Sequence, residues 1–175
     1  MNFKLRLVIV VSVLMMSFGL PKNILKKVNA TIESTFKVGE FSLHLIDIPS
    51  EIITTLPSTF QTESLYKIVT DKFILGYAYI AKAPSKTDEF DYLVLFDKDL
   101  VIMKSKVLIY REDYGGEIGS KRWLKQFIGK TQHDDLRYGD NIAAISGATI
   151  SVRSMTAAIN NLLKSLKILH LKNIL

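Results

Sequence analysis

Two apolar, β-branched runs, Phe90–Phe96 and Leu100–Tyr110, stand three residues apart, with Asp97-Lys98-Asp99 between them. Runs of this kind bounded by polar turn residues read as strands. A connection that short joins antiparallel neighbours, because parallel strands need a crossover of a dozen or more residues. An earlier pair has the same form: Leu65–Val69 and Phe73–Ala81 meet at a turn near Thr70-Asp71-Lys72. Upstream, Phe41, Leu43 and Leu45 alternate with Ser42 and His44, the pattern of a strand or an extended segment over 41–48. The polar stretch Ala83 to Asp88 reads as a loop between the two pairs.

Helical signals flank this set. Residues 22–38, after Pro21, are compatible with a short helix, and Pro49 and Pro57 bracket a possible second one at 50–56. Ser120 opens a helix with Trp123 and Phe127 at i, i+4 on one face, and Gly129 ends it. From about Ser151 to His170, Val152, Met155, Ile159, Leu162, Leu163 and Leu166 recur at helical spacing. The expected class is α+β: an antiparallel sheet of four or five strands packed by helices, plus an N-terminal apolar segment. The expected division is a signal peptide or membrane anchor at 1–20, an N-terminal extension at 21–60, and the functional domain at 61–170.

The first segment reads as an export signal. Lys4 and Arg6 precede an uncharged run from Leu7 to Leu20, the basic-then-apolar order of a secretory leader. The run is shorter than the roughly 20 residues that cross a bilayer comfortably. Ser17-Phe18-Gly19 offers small residues for cleavage after Gly19, and without cleavage the run stays as an anchor. With no cysteine in the chain, disulfides, zinc-thiolate sites and iron–sulfur clusters are excluded. The formal net charge of +6 is spread thinly, without a basic stripe interleaved with aromatics, so nucleic acid is not expected as a partner. His44, His133 and His170 show no metal-ligand spacing, and Ser146 has no triad partners, so neither a metal nor a catalytic residue is expected.

The chemistry concentrates at residues 145–154, Ile-Ser-Gly-Ala-Thr-Ile-Ser-Val-Arg-Ser. Ser146, Gly147 and Ala148 carry almost no side chain, so the backbone there can approach a ligand closely. A helix start adds unpaired N–H groups and partial positive charge, which favour a phosphate. On the residues alone an ordinary helix cap is the more usual reading, since Ser, Thr and Gly are common just before helices.

The stretch Ser146-Gly147-Ala148-Thr149, followed by Ile150-Ser151, resembles the attachment motif of the FMN-binding domain family. That family includes the flavin-carrying G subunit of Rnf complexes and the C subunit of sodium-translocating NADH:quinone reductase. A second block, Glu112-Asp113-Tyr114-Gly115-Gly116-Glu117-Ile118-Gly119 with Trp123, Phe127 and Gly129 after it, is similar to the family's glutamate–glycine-rich turn and following helix. The resemblance covers roughly residues 65–165. It implies FMN as cofactor, joined through its phosphate to the side chain of Thr149, with Ser146, Gly147 and Ala148 around it. By the same analogy Glu112, Gly115 and Gly116 line the flavin; on their own terms Glu112 also fits a solvated strand end and the glycines fit a turn. Ala143 stands where family members often carry an acid. No histidine or carboxylate lies within five residues of Thr149, and an unassisted threonine hydroxyl is a poor nucleophile. The expectation is therefore a protein loaded by a flavin transferase, which by resemblance uses FAD and a divalent metal.

Together these readings predict an electron-transfer flavoprotein of the bacterial cell envelope, exported or anchored at the outer face of the cytoplasmic membrane. Its expected partners are the transferase and membrane or envelope redox proteins, and a carrier is favoured over a self-contained enzyme. The alternatives are a non-redox or non-covalent FMN-binding module, and a structural envelope domain that uses 151–170 only as a packing helix.

Overall fold

The computed structural model describes residues 20–61 and 63–175. The expected signal or anchor segment thus lies, apart from Leu20, outside the described residues. No described helix is long and apolar enough to cross a membrane.

The chain is α+β, with one five-stranded antiparallel sheet. Among the described residues, helix α1 (Lys22–Phe36) comes first, then strand β1 (Ser42–Leu45) and the single turn α2 (Ser50–Ile53). Strands β2 (Leu65–Val69), β3 (Ile74–Pro84), β4 (Glu89–Asp97) and β5 (Ile102–Ile109) follow. The spatial order β1-β2-β3-β4-β5 is the sequence order, so each strand pairs with its neighbour in sequence, through short turns from β2 to β5 and through the 46–64 segment between β1 and β2. After β5 come a 3₁₀ turn (Gly116–Gly119), the short helix α3 (Lys121–Leu124), a second 3₁₀ turn (Lys125–Phe127) and the long helix α4 (Thr149–Leu171).

Both faces of the sheet are covered, which explains why β4 reads as a continuous apolar run and not as an alternation. Side chains alternate across a strand. In β4, Phe90, Tyr92, Val94 and Phe96 face α4, while Leu93 and Leu95 face α1. In β3, Tyr77 and Tyr79 face α4, and Ala78 and Ile80 face α1. Helix α4 presents Val152, Met155, Ile159, Leu162, Leu163, Leu166 and Leu169, all fully buried. Burying each such side chain contributes about 1.5–3 kcal/mol, so this stripe dominates the attachment of α4 to the sheet. Helix α1 covers the other face with Ile24, Val28 and Ile32. Residues 22–45 thus supply one outer layer and the first strand of the same sheet.

Three local expectations shift. Strand β3 runs on to Pro84, paired with Glu89, where a loop was expected from Ala83; a proline at the last position removes no internal ladder bond. The β4–β5 turn extends through Val101, because the Asp97 carboxylate accepts from the amides of both Asp99 and Val101, and Leu100 takes φ 62° to drop its side chain into the core. The helix expected at 120–129 is one α turn followed by one 3₁₀ turn, with Trp123 and Phe127 stacked edge-to-face at 5.2 Å in the core.

Candidate functional site

Helix α4 begins at Thr149, two residues before the expected start, so the threonine of the 146–149 motif is the first residue of a 23-residue helix. Its cap position is Ala148, which has no side-chain acceptor to offer. The first α4 backbone bond runs from Val152 N–H to the Ala148 carbonyl at 2.9 Å. Among the described residues, the N–H groups of Thr149, Ile150 and Ser151 find no acceptor. Four unpaired N–H groups at a helix start are normally met by a cap, water or a ligand. The helix-cap reading of the motif therefore fails in its usual form: the Ser146 and Thr149 side chains leave these donors open.

Those donors border a cavity of about 410 Å³ lined by Lys86, Tyr110, Glu112, Tyr114 and the run Gly147–Ser151. That volume lies within the usual range of small-molecule sites, about 300–1,000 Å³. Gly147 has φ 81°, and a Cβ built on it meets nothing within 4 Å, so its bare face is open to a ligand. Thr149 is exposed, and its hydroxyl has no hydrogen-bond partner among the described residues. Lys86 supplies the one basic side chain of the lining.

The two sequence blocks meet here. Gly115 has φ 80°, and a Cβ on it would stand 3.0 Å from the Tyr110 hydroxyl, 3.1 Å from the Gly147 oxygen and 3.2 Å from Ala148 Cα. Gly115 therefore backs the motif loop without lining the cavity. Gly116 has open space around it, and Ser146 is exposed outside the lining. The Tyr110 hydroxyl lies 3.0 Å from Ser151 Oγ and ties the end of β5 to the first turn of α4. The loop before the motif is held too: Trp123 Nε1 donates to the Ala143 carbonyl at 2.8 Å, and Ala143 N–H donates to Gln126 Oε1 at 2.8 Å. Arg153 lies over the Tyr138 ring at 4.8 Å.

Glu112 stands in the cavity lining and also has a structural part that neither expectation named. Its carboxylate accepts from Ser85 Oγ (2.6 Å), Thr87 N–H (2.6 Å), Thr87 Oγ1 (2.8 Å) and Asp88 N–H (3.2 Å). The Ser85 hydroxyl, then the Thr87 groups, hold its pKa down at about 2 against an ordinary 4.5. It clamps the β3–β4 loop to the exit of β5, and so positions Lys86 at the cavity. A carboxylate held this low is a weak base at neutral pH. Among the described residues it is also the sole carboxylate of the lining, and they place no other carboxylate or histidine there to activate the Thr149 hydroxyl.

Sequence reading found Thr149, Gly147, Ala148 and Glu112 of this lining. It missed Lys86, Tyr110, Tyr114, Ile150 and Ser151 as a group. Tyr114 and Ile150 stood inside the two quoted blocks, and their exposure, 85 % and 50 %, is the structural sign that they face open space.

Residues 86–164, a little under half of the chain, match the family model of the FMN-binding domain. Residues 86–164 form an FMN-binding domain. The match runs from Lys86 through both blocks and most of α4, so it contains the whole cavity lining. FMN is its cofactor, and the open helix start, the bare Gly147 and Lys86 are groups suited to a phosphate-bearing ligand. No curated protein matches the chain.

Proposed function

We propose that this chain is an electron carrier of the bacterial cell envelope whose FMN is joined by a phosphoester to Thr149. The observation that carries the reading is the position of Thr149: an unbonded, exposed hydroxyl on the first residue of α4, beside unpaired N–H groups and the cavity. The Thr149 oxygen forms a bond to the FMN phosphorus of FAD, the bond from that phosphorus to the AMP portion breaks, and the hydroxyl proton leaves with AMP. With no base in the cavity among the described residues, a flavin transferase supplies activation and its divalent metal. The helix start then holds the phosphate, while Tyr110, Tyr114 and Ile150 offer apolar surface to the ring system.

Bound flavin supplies one- and two-electron chemistry, and the protein places it. Covalent attachment suits a location outside the cytoplasm, where released FMN is lost by dilution. The basic-then-apolar order of residues 4–20 supports export to, or anchoring at, the outer face of the cytoplasmic membrane, with membrane or envelope redox proteins as partners. Helix α1 runs antiparallel to β5, with Lys27 bonded to Leu108 and Thr31 to Lys106, so its start and the flavin cavity share one end of the sheet.

A non-covalent FMN module is the second reading, favoured by Ala143 in place of an acid. Co-expression with a flavin transferase, followed by denaturation and in-gel flavin fluorescence, separates the two. The wild-type chain retains flavin after denaturation, and Thr149→Val loses it with an unchanged circular-dichroism spectrum. Covalent flavin in the Thr149→Val protein refutes the site.

A further inference from the structure

A larger concavity, about 550 Å³, lies along β5 away from the flavin cavity. Its lining includes four consecutive residues of that strand, Lys104 to Val107. Successive strand residues point to opposite faces. A space that touches four in a row therefore lies against the edge of the strand and not on either face. Strand β5 is the last in the sheet order, so among the described residues this edge has no neighbouring strand.

The edge is closed at both ends and open in the middle. At one end Ile102 N–H donates to the Lys130 carbonyl and its own carbonyl accepts from Gly129 N–H. At the other, the Leu108 carbonyl accepts from Lys27 Nζ at 2.6 Å. Between them, among the described residues, Met103 to Val107 make backbone bonds to β4 alone. Five residues is the length of an average strand. Helix α1 and the α3 segment form the two walls, the latter fixed by Ser105 Oγ donating to the Leu124 carbonyl at 3.1 Å.

The charge in the groove has one sign. Lys104 and Lys106 come from the edge and Lys121 and Lys125 from the α3 wall, with no acidic residue in the lining among the described residues. None of the four is paired with a carboxylate among the described residues. Lysines on an edge strand guard it against pairing with other edges. Lys121 and Lys125 lie on another element, and they extend this charge across the opposite wall.

We propose that the open edge of β5 is a docking groove for an acidic, extended segment of a protein partner, which adds to the sheet as a sixth strand. Backbone groups of Met103–Val107 supply the ladder, and the four lysines select the partner. A second copy of this edge would bring four lysines against four, which is the repulsive element that specificity requires. The groove is recessed between two walls, which suits a protruding chain better than a flat anionic surface. Its far end is Gly119, on the same 112–119 segment that backs the flavin motif, so an occupant sits next to the cofactor domain's functional end.

The test uses the purified full chain and a fluorescein-labelled peptide of alternating glutamate and valine, read by fluorescence anisotropy. Saturable binding that weakens with added salt is expected, with amide exchange slowed at residues 103–107. The double variant Lys121→Glu/Lys125→Glu, at exposed positions that leave thermal unfolding unchanged, weakens binding at least fivefold. A matched lysine–valine peptide does not bind. Absence of saturable peptide binding overturns the proposal and leaves the lysines as edge guards alone. Peptide binding that survives the double reversal overturns it, and so does reversal-sensitive binding seen only with phosphatidylglycerol vesicles.

Discussion

Gly115 lies against Gly147: a Cβ on the first would stand 3.1 Å from the carbonyl oxygen of the second, and this contact joins the two blocks that define the site. Gly115 also holds φ 80°, a conformation that L side chains rarely adopt.

Gly115→Ala therefore carries both a conformational and a steric cost. It lowers unfolding free energy by about 1–3 kcal/mol and reduces flavin loading, because the displaced atoms belong to the motif loop. Gly116→Ala, where a Cβ meets nothing, changes stability by no more than about 0.5 kcal/mol. Urea unfolding of both variants beside wild type checks the contrast; equal effects would contradict it.

Glu112 predicts an acid dependence. Its folded pKa, about 2, lies below the ordinary 4.5, so the contribution of its clamp is fully present above pH 4.5 and is lost as pH falls towards 2. Glu112→Gln removes that dependence and loosens the 85–88 loop at every pH. Stability measured between pH 6 and pH 2 falls less steeply for the variant, and amide exchange at Thr87 and Asp88 is faster in it at neutral pH.

Much of the fold was legible because the β2–β5 meander is local. Strands β2 to β5 pair with their sequence neighbours across short links, so turn residues and apolar runs placed them, while β1, joined to β2 through residues 46–64, read as a strand or an extended segment. The 146–149 motif was legible for the same reason, since its geometry depends on adjacent residues. The partners of Glu112 stand 24 to 27 residues away, and no local pattern marks them. Lys86 stood in what read as a plain polar loop, and only the clamp brings it to the cavity. The helix at 120–129 changes to a 3₁₀ turn after Leu124, whose carbonyl accepts from Ser105 Oγ of β5, a tertiary contact invisible to periodicity.

Lys86 contributes charge at an exposed position, where screening limits its worth to about 0.2–1 kcal/mol. In a Thr149→Val background, where FMN binds only non-covalently, Lys86→Gln weakens FMN binding about two- to fivefold, and the loss shrinks in high salt. Fluorescence titration at two salt concentrations reads this directly. An unchanged affinity would place the lysine outside the ligand's field.

Tyr110 and Ser151 tie β5 to α4 through one hydroxyl contact of 3.0 Å, and Ser151 is buried. Tyr110→Phe keeps the ring and leaves the serine hydroxyl unpaired, at a cost of about 1 kcal/mol. Adding Ser151→Ala recovers part of that loss, because the orphaned group is gone. A double-mutant cycle by chemical denaturation measures the coupling, and strict additivity would show that the contact contributes nothing.

The central claim is that FMN is held at the start of α4 through Thr149, and intact-mass spectrometry on denatured chain co-expressed with a flavin transferase tests it most directly. The account predicts a gain equal to FMN minus one water, carried by the peptide that contains Thr149. A chain without added mass, or with the flavin mapped to another residue, would contradict it.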